Sequence, residues 1–333
     1  VLDLRNNGGG SLYEATALTD LFIDYGPVVQ IRDAQQKVYR NHRASRRAAY
    51  SGPLIVMINR LSASASEIFA GALQDYGRAL IVGTQTFGKG TVQDVTALSE
   101  GQLKMTISKF YRVSGDSTQH RGVIPDIAFP SLHDIEKIGE SEQDNALPWD
   151  RIHRVPHQAQ DQLSPFITHL TKSHLARRSA DPDLASLVEK IELSDTWGTQ
   201  KSLSLNMNDR RARSERWDMQ LYTLENRRLV AKGQDPYADL TAWKDSDKDD
   251  EEISDSEASD QSGEDLESNQ ETGDTATDLA LDDAKGEEED EDIAESDPML
   301  LEAGKVLSEQ IQLQTQANSR RLALMKKIQE TNL

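Results

Sequence analysis

A cluster of serines, SASAS at residues 62–66, stands where an apolar run ends and a helical pattern begins. The run GPLIVMINR (52–60) is typical of a strand buried on both faces of a sheet. A serine at such a strand–turn–helix junction is exposed at the sheet edge, with its Oγ near free helix-terminal amides. The sequence also fits a simpler role, because Ser64 and Glu67 form the capping box S-x-x-E. Spacing alone favours the cap over a nucleophile.

A serine nucleophile needs a base, and Lys89 is the residue that could supply it. Residues 1–110 contain one histidine, His42, which lies in the polar stretch RNHRASRR. A lysine acts as a base only when it is neutral, which requires burial in a water-poor site. Glycines on both sides of Lys89 let the backbone pack closely. We expect Lys89 to be buried close to the serine cluster; the alternative is an ordinary surface lysine.

The same lysine lies in a near match to a phosphate-binding loop. The segment GTQTFGKG (83–90) fits G-x-x-x-x-G-K, but Gly90 stands where a Ser or Thr would bind magnesium. A phosphate loop also needs its lysine at the start of a helix. Here the following residues, TVQDV, alternate as a strand does. The pattern therefore disfavours a nucleotide hydrolase built on Gly83 and Lys89, which stays as an alternative.

Composition limits the other kinds of site. The 333 residues suffice for one large or two medium domains, and the first residues, VLDLRNNGGG, read as the interior of a domain. The chain has no cysteine, which excludes disulfides and thiolate metal sites. Two histidine pairs, at 153/157 and 169/174, lack metal-ligand spacing. We expect no metal and no cofactor, and no apolar stretch predicts stable membrane insertion.

One segment accounts for the net charge of −20. From Asp245 to Asp297 the chain has 25 acidic and two basic residues, so the rest is close to neutral. The segment is poor in aromatic and β-branched residues, which predicts disorder. Such acidity argues against nucleic acid as a partner. The arginines of DRRARSERW and ENRRLV fit a solvated face paired with glutamates and with this segment better than an RNA-binding helix.

Residues 1–130 alternate between strand and helix patterns, which predicts an α/β core, a mixed sheet with flanking helices. The predicted elements are a strand VLDLR (1–5), a helix around LYEATALTDLFIDYG (12–26), a hairpin of PVVQIRD (27–33) and VYRN (38–41), the buried strand (52–60), a helix from the serine cluster to Gly77, and strands ALIV (79–82), TVQDVTAL (91–98) and LKMTISKFYRV (103–113).

Three further segments follow: a helical domain (131–244), the acidic disordered segment (245–297) and an amphipathic helix (298–333). Ser-Pro at 164 and Asp-Pro at 181 each open a helix, because proline suits the first helical turn. A long basic helix covers about 208–232. The last helix could be a docking or oligomer element.

Four ordered motifs resemble the tail-specific, or C-terminal processing, peptidases. These motifs are LRNNGGG, NRLSASASEIFAGALQDYGRALIVGTQTFGKGTVQ, KFYRVSGDSTQHRGVIPDI and QDNALPWD. The resemblance covers about residues 1–150 and extends more weakly through the helical region to about 240. It implies a ClpP/crotonase-like core and a serine peptidase with a Ser–Lys dyad that needs no ATP.

The resemblance also implies a role for individual residues. The middle serine of SASAS, Ser64, would be the nucleophile, and Lys89, 25 positions later, the general base. Gln93 matches the family position that orients the lysine amine. The amides of Gly10, the third glycine of the turn, and Ala65 would hold the oxyanion.

The resemblance implies a supporting role for Asp75 in LQDYG and fixes the expected partners. The substrates would be proteins or peptides with apolar C-termini, recognised by a PDZ domain upstream through strand addition to a sheet edge. An adaptor protein is a possible partner, and the expected compartment is the periplasm. A fragment that holds every catalytic group but lacks the PDZ domain would be inactive if cleavage depends on that domain. A non-catalytic adaptor, which binds through the helical domain and the acidic segment, stays as a second alternative.

Overall fold

The computed structural model describes residues 1–42, 47–131, 137–159, 163–200, 202–246 and 297–331. The chain forms two compact units, of which the first comprises Val1–Arg178 with Met299–Leu333 and the second Ser179–Pro298. Residues 131–178 and the last helix thus group with the first predicted domain, and the division into four segments stays a prediction. The acidic segment predicted to be disordered lies outside the described residues over 247–296.

The elements follow the predicted order. The strands are β1 (Leu2–Asp3), β2 (Pro27–Asp33), β3 (Val38–His42), β4 (Ile55–Ile58), β5 (Leu80–Gly83), β6 (Thr91–Ala97), β7 (Gln102–Tyr111) and β8 (Ile127–Ala128). The helices are α1 (Leu12–Thr19), α2 (Ala65–Asp75), α3 (Ser164–Ala180), α4 (Pro182–Gly198), α5 (Met207–Ala231) and α6 (Pro298–Thr331), with a 3₁₀ turn at Glu140–Glu142. Among the helices that the structure describes, none combines the length and the hydropathy that a membrane-spanning segment requires.

The α/β class is confirmed, with the strands divided between two sheets. The first sheet is parallel, in the order β1-β4-β5-β8, and the second is antiparallel, in the order β3-β2-β7-β6. The middle strands of the parallel sheet, β4 and β5, are buried along their whole length. Parallel strands covered on both faces read as unbroken apolar runs, which explains the sequence at 52–60.

The two faces of the parallel sheet contact different layers. Val56 and Ile58 of β4 belong to a cluster with α2 and with the antiparallel sheet. Ile55 and Met57, which point the opposite way, belong to a second cluster with α3 and α6. Alternate side chains of a strand face opposite sides, so one short strand anchors both layers. The last helix therefore contributes to the core of the first unit.

The helix predicted over 12–26 is wrong in length, because α1 ends at Thr19. The hydroxyls of Thr16 and Thr19 donate to carbonyls of the preceding turn, Leu12 and Ala15, at 3.0 and 2.7 Å. Such back-bonding competes with helix propagation, and tight turns follow from residue 20 to the start of β2. Phe22 and Ile23, which follow α1, pack into the core without helical geometry.

The second unit is helical, as predicted. Asp181 caps α4, with its carboxylate accepting from the amides of the first turn, and Pro182 occupies the first helical position. The antiparallel neighbour α5 is the predicted basic helix and begins after the cap Asn206. Trp197 of α4 meets Trp217 of α5, with ring centroids 5.2 Å apart in an edge-to-face arrangement.

Candidate active site

Ser64 sits at the junction between β4 and α2, directly before the first residue of the helix. Its backbone has φ 55° and ψ −113°, a conformation that a residue with a side chain rarely adopts. Strain of this kind persists only where surrounding contacts enforce it, and it is typical of a nucleophile on a sharp strand-to-helix turn. The contacts around Ser64 therefore hold its backbone in this strained conformation.

The three serines of the cluster have different environments. Ser62 is fully buried and donates to the carbonyl of Leu4 at 2.7 Å. Ser66 is buried and donates to Asn7 Oδ1 at 2.8 Å. Ser64 is half-buried, and its side chain faces the Glu67 amide in the capping-box arrangement without a hydrogen bond of standard geometry. Ser64 is thus the serine whose hydroxyl is not committed to holding the loops.

The glycine turn packs directly against the Ser64 backbone. Gly9 has φ +94°, and a Cβ there would lie 2.6 Å from the carbonyl oxygen of Ala63 and 2.9 Å from Ser64 Cβ. Asn7 anchors the same turn, because its carbonyl accepts from the Ala63 amide at 3.0 Å. This close approach of two backbones requires glycine at position 9, which accounts for the motif NNGGG.

Two backbone amides beside Ser64 carry no partner. Neither the Gly10 nor the Ala65 amide donates a hydrogen bond within the part of the chain that the structure describes. Ala65 is the first residue of α2, where amides lack intrahelical acceptors and the helix dipole favours negative charge. Both residues line one cavity with Ser64. These amides are available to an oxyanion.

Lys89 and Gln93 form a side-chain pair at the start of β6. The Lys89 amine donates to Gln93 Oε1 at 3.3 Å. The pairing of β6 with β7 shifts between Val92 and Gln93, and bulges of this kind redirect side chains next to functional sites. Lys89 is half-buried and not buried as expected, because the cavity it lines is bounded by exposed residues such as Gln93.

One cavity of about 480 Å³ brings the predicted site residues together. Its lining includes Ser64, Lys89 and Gln93 together with Gly10 and Ala65. A second cavity of about 780 Å³ shares the residues Gly8, Lys89, Thr91 and Gln93. Its other wall combines apolar side chains with the polar segment after the 3₁₀ turn, and these apolar residues are Leu61, Ala63, Phe87, Ala146 and Leu147.

Glu67 connects the two halves of the site, a role the sequence reading missed. Its buried carboxylate accepts from the Ser64 amide at 2.7 Å and from the Lys89 amide at 2.9 Å. It also accepts from the Gly88 amide at 2.8 Å and the Thr86 hydroxyl at 2.5 Å. Burial raises the pKa of Glu67 to about 7, although these four donors favour the ionised form. The capping-box pattern flagged Glu67 without revealing its reach to the lysine loop.

A second buried charged group supports the same loop from the other side. Arg60 is almost fully buried and donates to the carbonyls of Thr86 and Ile138. Burial lowers the pKa of Arg60, and the nearby carboxylates of Glu67 and Glu142 oppose that shift. The lysine loop is therefore held by two buried side chains, the Glu67 carboxyl and the Arg60 guanidinium.

Comparisons with known proteins divide the chain in two. Residues 1–129 match the model of peptidase family S41, and residues 133–312 match the model of the C-terminal domain of tail specific protease (DUF3340), which is more than half of the chain. The chain belongs to the tail-specific proteases. The resemblance inferred from the motifs is thus confirmed.

Individual relatives extend beyond this chain. The Tail-specific protease of Haemophilus influenzae is 42% identical over 252 residues, which cover 72% of this chain and 36% of the relative. The Carboxy-terminal-processing protease of Bartonella bacilliformis is 49% identical over 129 residues, 38% of this chain and 30% of the relative. Among solved structures, the photosystem II D1 C-terminal processing protease is 38% identical with a TM-score of 0.36, over 38% of this chain and 33% of that one. The chain spans about a third of the length of these relatives.

In this tail-specific protease the near match to a phosphate loop has another use. The amides of Gly88 and Lys89 donate to Glu67, and the amide of Gly90 donates to Gln119 Oε1 at 2.8 Å. A phosphate loop needs such amides free to face the anion. The loop also continues into β6 and not into a helix. The protein's own carboxylate occupies the place that a phosphate would need.

Asp75 lies away from the cavity, at the far end of α2. Asp75 is the last of the eleven helical residues that follow Ser64, about 16 Å from it along the axis. Its carboxylate pairs with Arg112, which follows β7, at 2.5 Å, and Arg112 also donates to Gln74. The structure therefore gives Asp75 a contact that ties α2 to the antiparallel sheet. Among the described residues, no group of acidic and histidine side chains could hold a metal ion.

Proposed function

We propose that this chain carries the catalytic site of a serine endopeptidase, with Ser64 as nucleophile and Lys89 as general base. The observation that carries the proposal is the shared cavity of Ser64, Lys89 and the two unpartnered amides of Gly10 and Ala65. A nucleophile, a base and an oxyanion site around one space are what acyl transfer requires.

The proposed reaction begins with the neutral Lys89 amine taking the proton of the Ser64 hydroxyl. Ser64 Oγ attacks the carbonyl carbon of the peptide, and the oxygen of that carbonyl becomes negative between the amides of Gly10 and Ala65. The Lys89 ammonium then gives its proton to the leaving amine, and the acyl group stays on Ser64. Water, deprotonated by Lys89, releases it as a carboxylic acid.

Gln93 has a positioning role in this reaction. Its Oε1 accepts one hydrogen from the Lys89 amine and so restricts the direction of the nitrogen lone pair. Each oxyanion donor typically contributes about 3–4 kcal/mol to transition-state stabilisation. A well-aligned base adds about 10²- to 10⁴-fold in rate. These effects together support catalysis by the groups present, without ATP.

The proposed substrates are proteins with apolar C-termini, cleaved in C-terminal processing or degradation. The apolar wall of the 780 Å³ cavity, with Leu61, Phe87 and Leu147, adjoins Lys89 and supports the binding of apolar side chains. The proposed compartment is the periplasm, and a PDZ domain and an adaptor protein are the proposed partners. All three rest on the family relationship.

The test compares cleavage of two substrate proteins that differ only in ending with Ala-Ala or Asp-Asp. The enzyme used is the full-length protein. Ser64→Ala and Lys89→Ala should each lower kcat by at least about 10³-fold. Matched controls are Ser11→Ala and Lys104→Ala, because both residues line the same cavity. The controls should keep most of the activity.

Two results would refute the proposal. Undiminished cleavage by both Ser64→Ala and Lys89→Ala would exclude the dyad. If Lys104→Ala lost as much activity as Lys89→Ala, the reaction would need positive charge in the cavity and not Lys89 as a specific base. Equal cleavage of the two substrate proteins would contradict the proposed preference for apolar C-termini while leaving the dyad intact.

A further inference from the structure

A cavity of about 1120 Å³ lies in the second unit, where α4 ends and α5 begins. The half-buried pair Trp197 and Trp217 is part of its lining. The guanidinium of Arg213 stacks over the Trp197 ring at 4.7 Å from its centroid. We call this space the tryptophan groove. Aromatic faces beside a guanidinium bind both apolar side chains and anions.

The groove carries more positive than negative charge. Arg210, Arg213 and Arg216 line it, and within the described residues none of them forms an ion pair. The arginines at the other end of α5 are neutralised, because Arg227 pairs with Glu189 and Arg228 with Asp183 at 2.6 Å. The positive charge of α5 is therefore concentrated beside the two tryptophans.

One carboxylate lines the groove, that of Asp209. It accepts from the Ser204 hydroxyl at 2.8 Å and sits in the first turn of α5, where it interacts with the helix dipole. One acid against three arginines leaves the groove with a net positive charge, which an anionic ligand would balance. Electrostatic complementarity of this kind favours carboxylate-rich segments.

The chain itself supplies such a segment next to the groove. Residues 247–296 contain 23 acidic residues and two lysines. The described chain before them runs along α5, because Tyr222 donates to the carbonyl of Tyr237 at 3.0 Å and Lys244 pairs with Asp218. Asp218 directly follows Trp217, so the acidic segment leaves the described chain close to the groove.

We propose that the tryptophan groove binds the protein's own acidic segment, residues 247–296. Carboxylates of the segment pair with the groove arginines, and its apolar residues such as Ile253 contact the tryptophans. A short tether makes this binding intramolecular, with an effective concentration of about millimolar. The interaction is independent of the catalytic proposal. It weakens with salt, because exposed charge pairs are screened.

The test uses a fluorescently labelled peptide of residues 247–272 and two forms of the full chain. One form is unaltered, and in the other each acidic residue of 247–296 is replaced by serine. Fluorescence anisotropy should show the peptide binding the serine form at least about tenfold more tightly, because the unaltered chain already fills its groove. Raising NaCl from 50 to 500 mM should weaken that binding at least about tenfold.

A pair of substitutions locates the binding. In the serine form, Arg210→Gln with Arg216→Gln should weaken peptide binding about tenfold. The control is Arg320→Gln with Arg321→Gln, an exposed arginine pair on α6, which should leave binding unchanged. Circular dichroism confirms folding, and Arg210→Lys with Arg216→Lys should restore part of the affinity. Equal binding to both chain forms, or equal loss with both arginine pairs, would overturn the proposal.

Discussion

The Glu67 side chain is hydrogen-bonded to the Lys89 backbone. One oxygen of its buried carboxylate accepts a hydrogen bond from the Lys89 amide at 2.9 Å and another from the Ser64 amide at 2.7 Å. Ser64 begins a helix and Lys89 precedes a strand, so no regular secondary structure connects them. One carboxylate oxygen therefore sets the spacing between the proposed nucleophile and base. The packing around it leaves little freedom, since Glu67 is fully buried.

Replacing Glu67 by glutamine should lower kcat by about 10- to 100-fold. The amide NH₂ of glutamine would face amide donors, and displacement of a base by about 1 Å costs on this order. KM should change less, because the apolar cavity wall stays intact. Steady-state kinetics measures both. Glu14→Gln, a surface carboxyl of α1, is the control; an unchanged kcat in Glu67→Gln would contradict the positioning role.

The same substitution should change how stability depends on pH. Burial raises the pKa of Glu67 from 4.5 to about 7, so between these values the folded state binds more protons than the unfolded state. The contribution of Glu67 to the free energy of unfolding is thus greatest at acid pH. It falls as pH rises from about 4.5 to 7 and stays constant above pH 7. Urea unfolding measures the free energy of unfolding at pH 5 and at pH 8. The decrease in this free energy from pH 5 to pH 8 should be about 2–3 kcal/mol larger in the natural protein than in Glu67→Gln. Equal losses would refute the raised pKa.

Gly9→Ala should abolish cleavage and destabilise the first unit by at least about 2 kcal/mol. The new Cβ would lie 2.6 to 2.9 Å from backbone and Cβ atoms around Ser64, at a φ of +94°. Gly8→Ala is a matched control, because a Cβ there meets nothing within 4 Å. Thermal unfolding and peptide cleavage measure the difference. Similar behaviour of the two variants would show that the turn can shift without harm.

Glu302→Ala should destabilise the first unit by about 3–5 kcal/mol, because it leaves buried partners of a charge network unpaired. Glu302 is fully buried on α6, with His174 Nδ1 at 3.0 Å and Arg177 at 2.8 Å. Burial opposes ionisation of Glu302, but these hydrogen bonds outweigh it and hold its pKa below the usual value. This stability is present above pH 4.5 and is lost as pH falls.

Denaturant unfolding of Glu302→Ala beside Glu309→Ala tests the network. Glu309 also pairs with Arg177, at 2.9 Å, but is partly exposed, so its loss should cost about 1 kcal/mol. If Glu302→Ala lowered the free energy of unfolding less than Glu309→Ala, burial would not govern how much each carboxylate contributes to stability. The same variants at pH 4 should differ less from the natural protein than at pH 7.

The sequence was sufficient for the elements that depend on local pattern. The buried strand β4, the hairpin of β2 and β3, and the proline-started helices α3 and α4 follow from periodicity and capping. The motifs also singled out Ser64 and Lys89 as candidate site residues, and the structure places both in the lining of one cavity. These features are local or come from ordered motifs, so no knowledge of tertiary packing was needed.

Contacts between distant segments were beyond the sequence reading. Glu67 looked like a helix cap because its partner at Ser64 is three residues away, whereas its other partners are about twenty residues on. Asp75 looked like a member of the site, yet its carboxylate faces Arg112 at the other end of α2. Burial of Lys89 was overestimated, because local glycines say nothing about which walls close a cavity.

The packing of α6 on the parallel sheet affects the order of events during synthesis. Ala303 and Val306 of this helix are fully buried against the sheet that carries Ser64, although they follow the serine by more than two hundred residues. A ribosome that adds about 5–20 residues per second reaches them many seconds after Ser64 has emerged. Until then one face of the sheet in the nascent chain stays uncovered, so the core of the first unit is completed only after α6 has been synthesised.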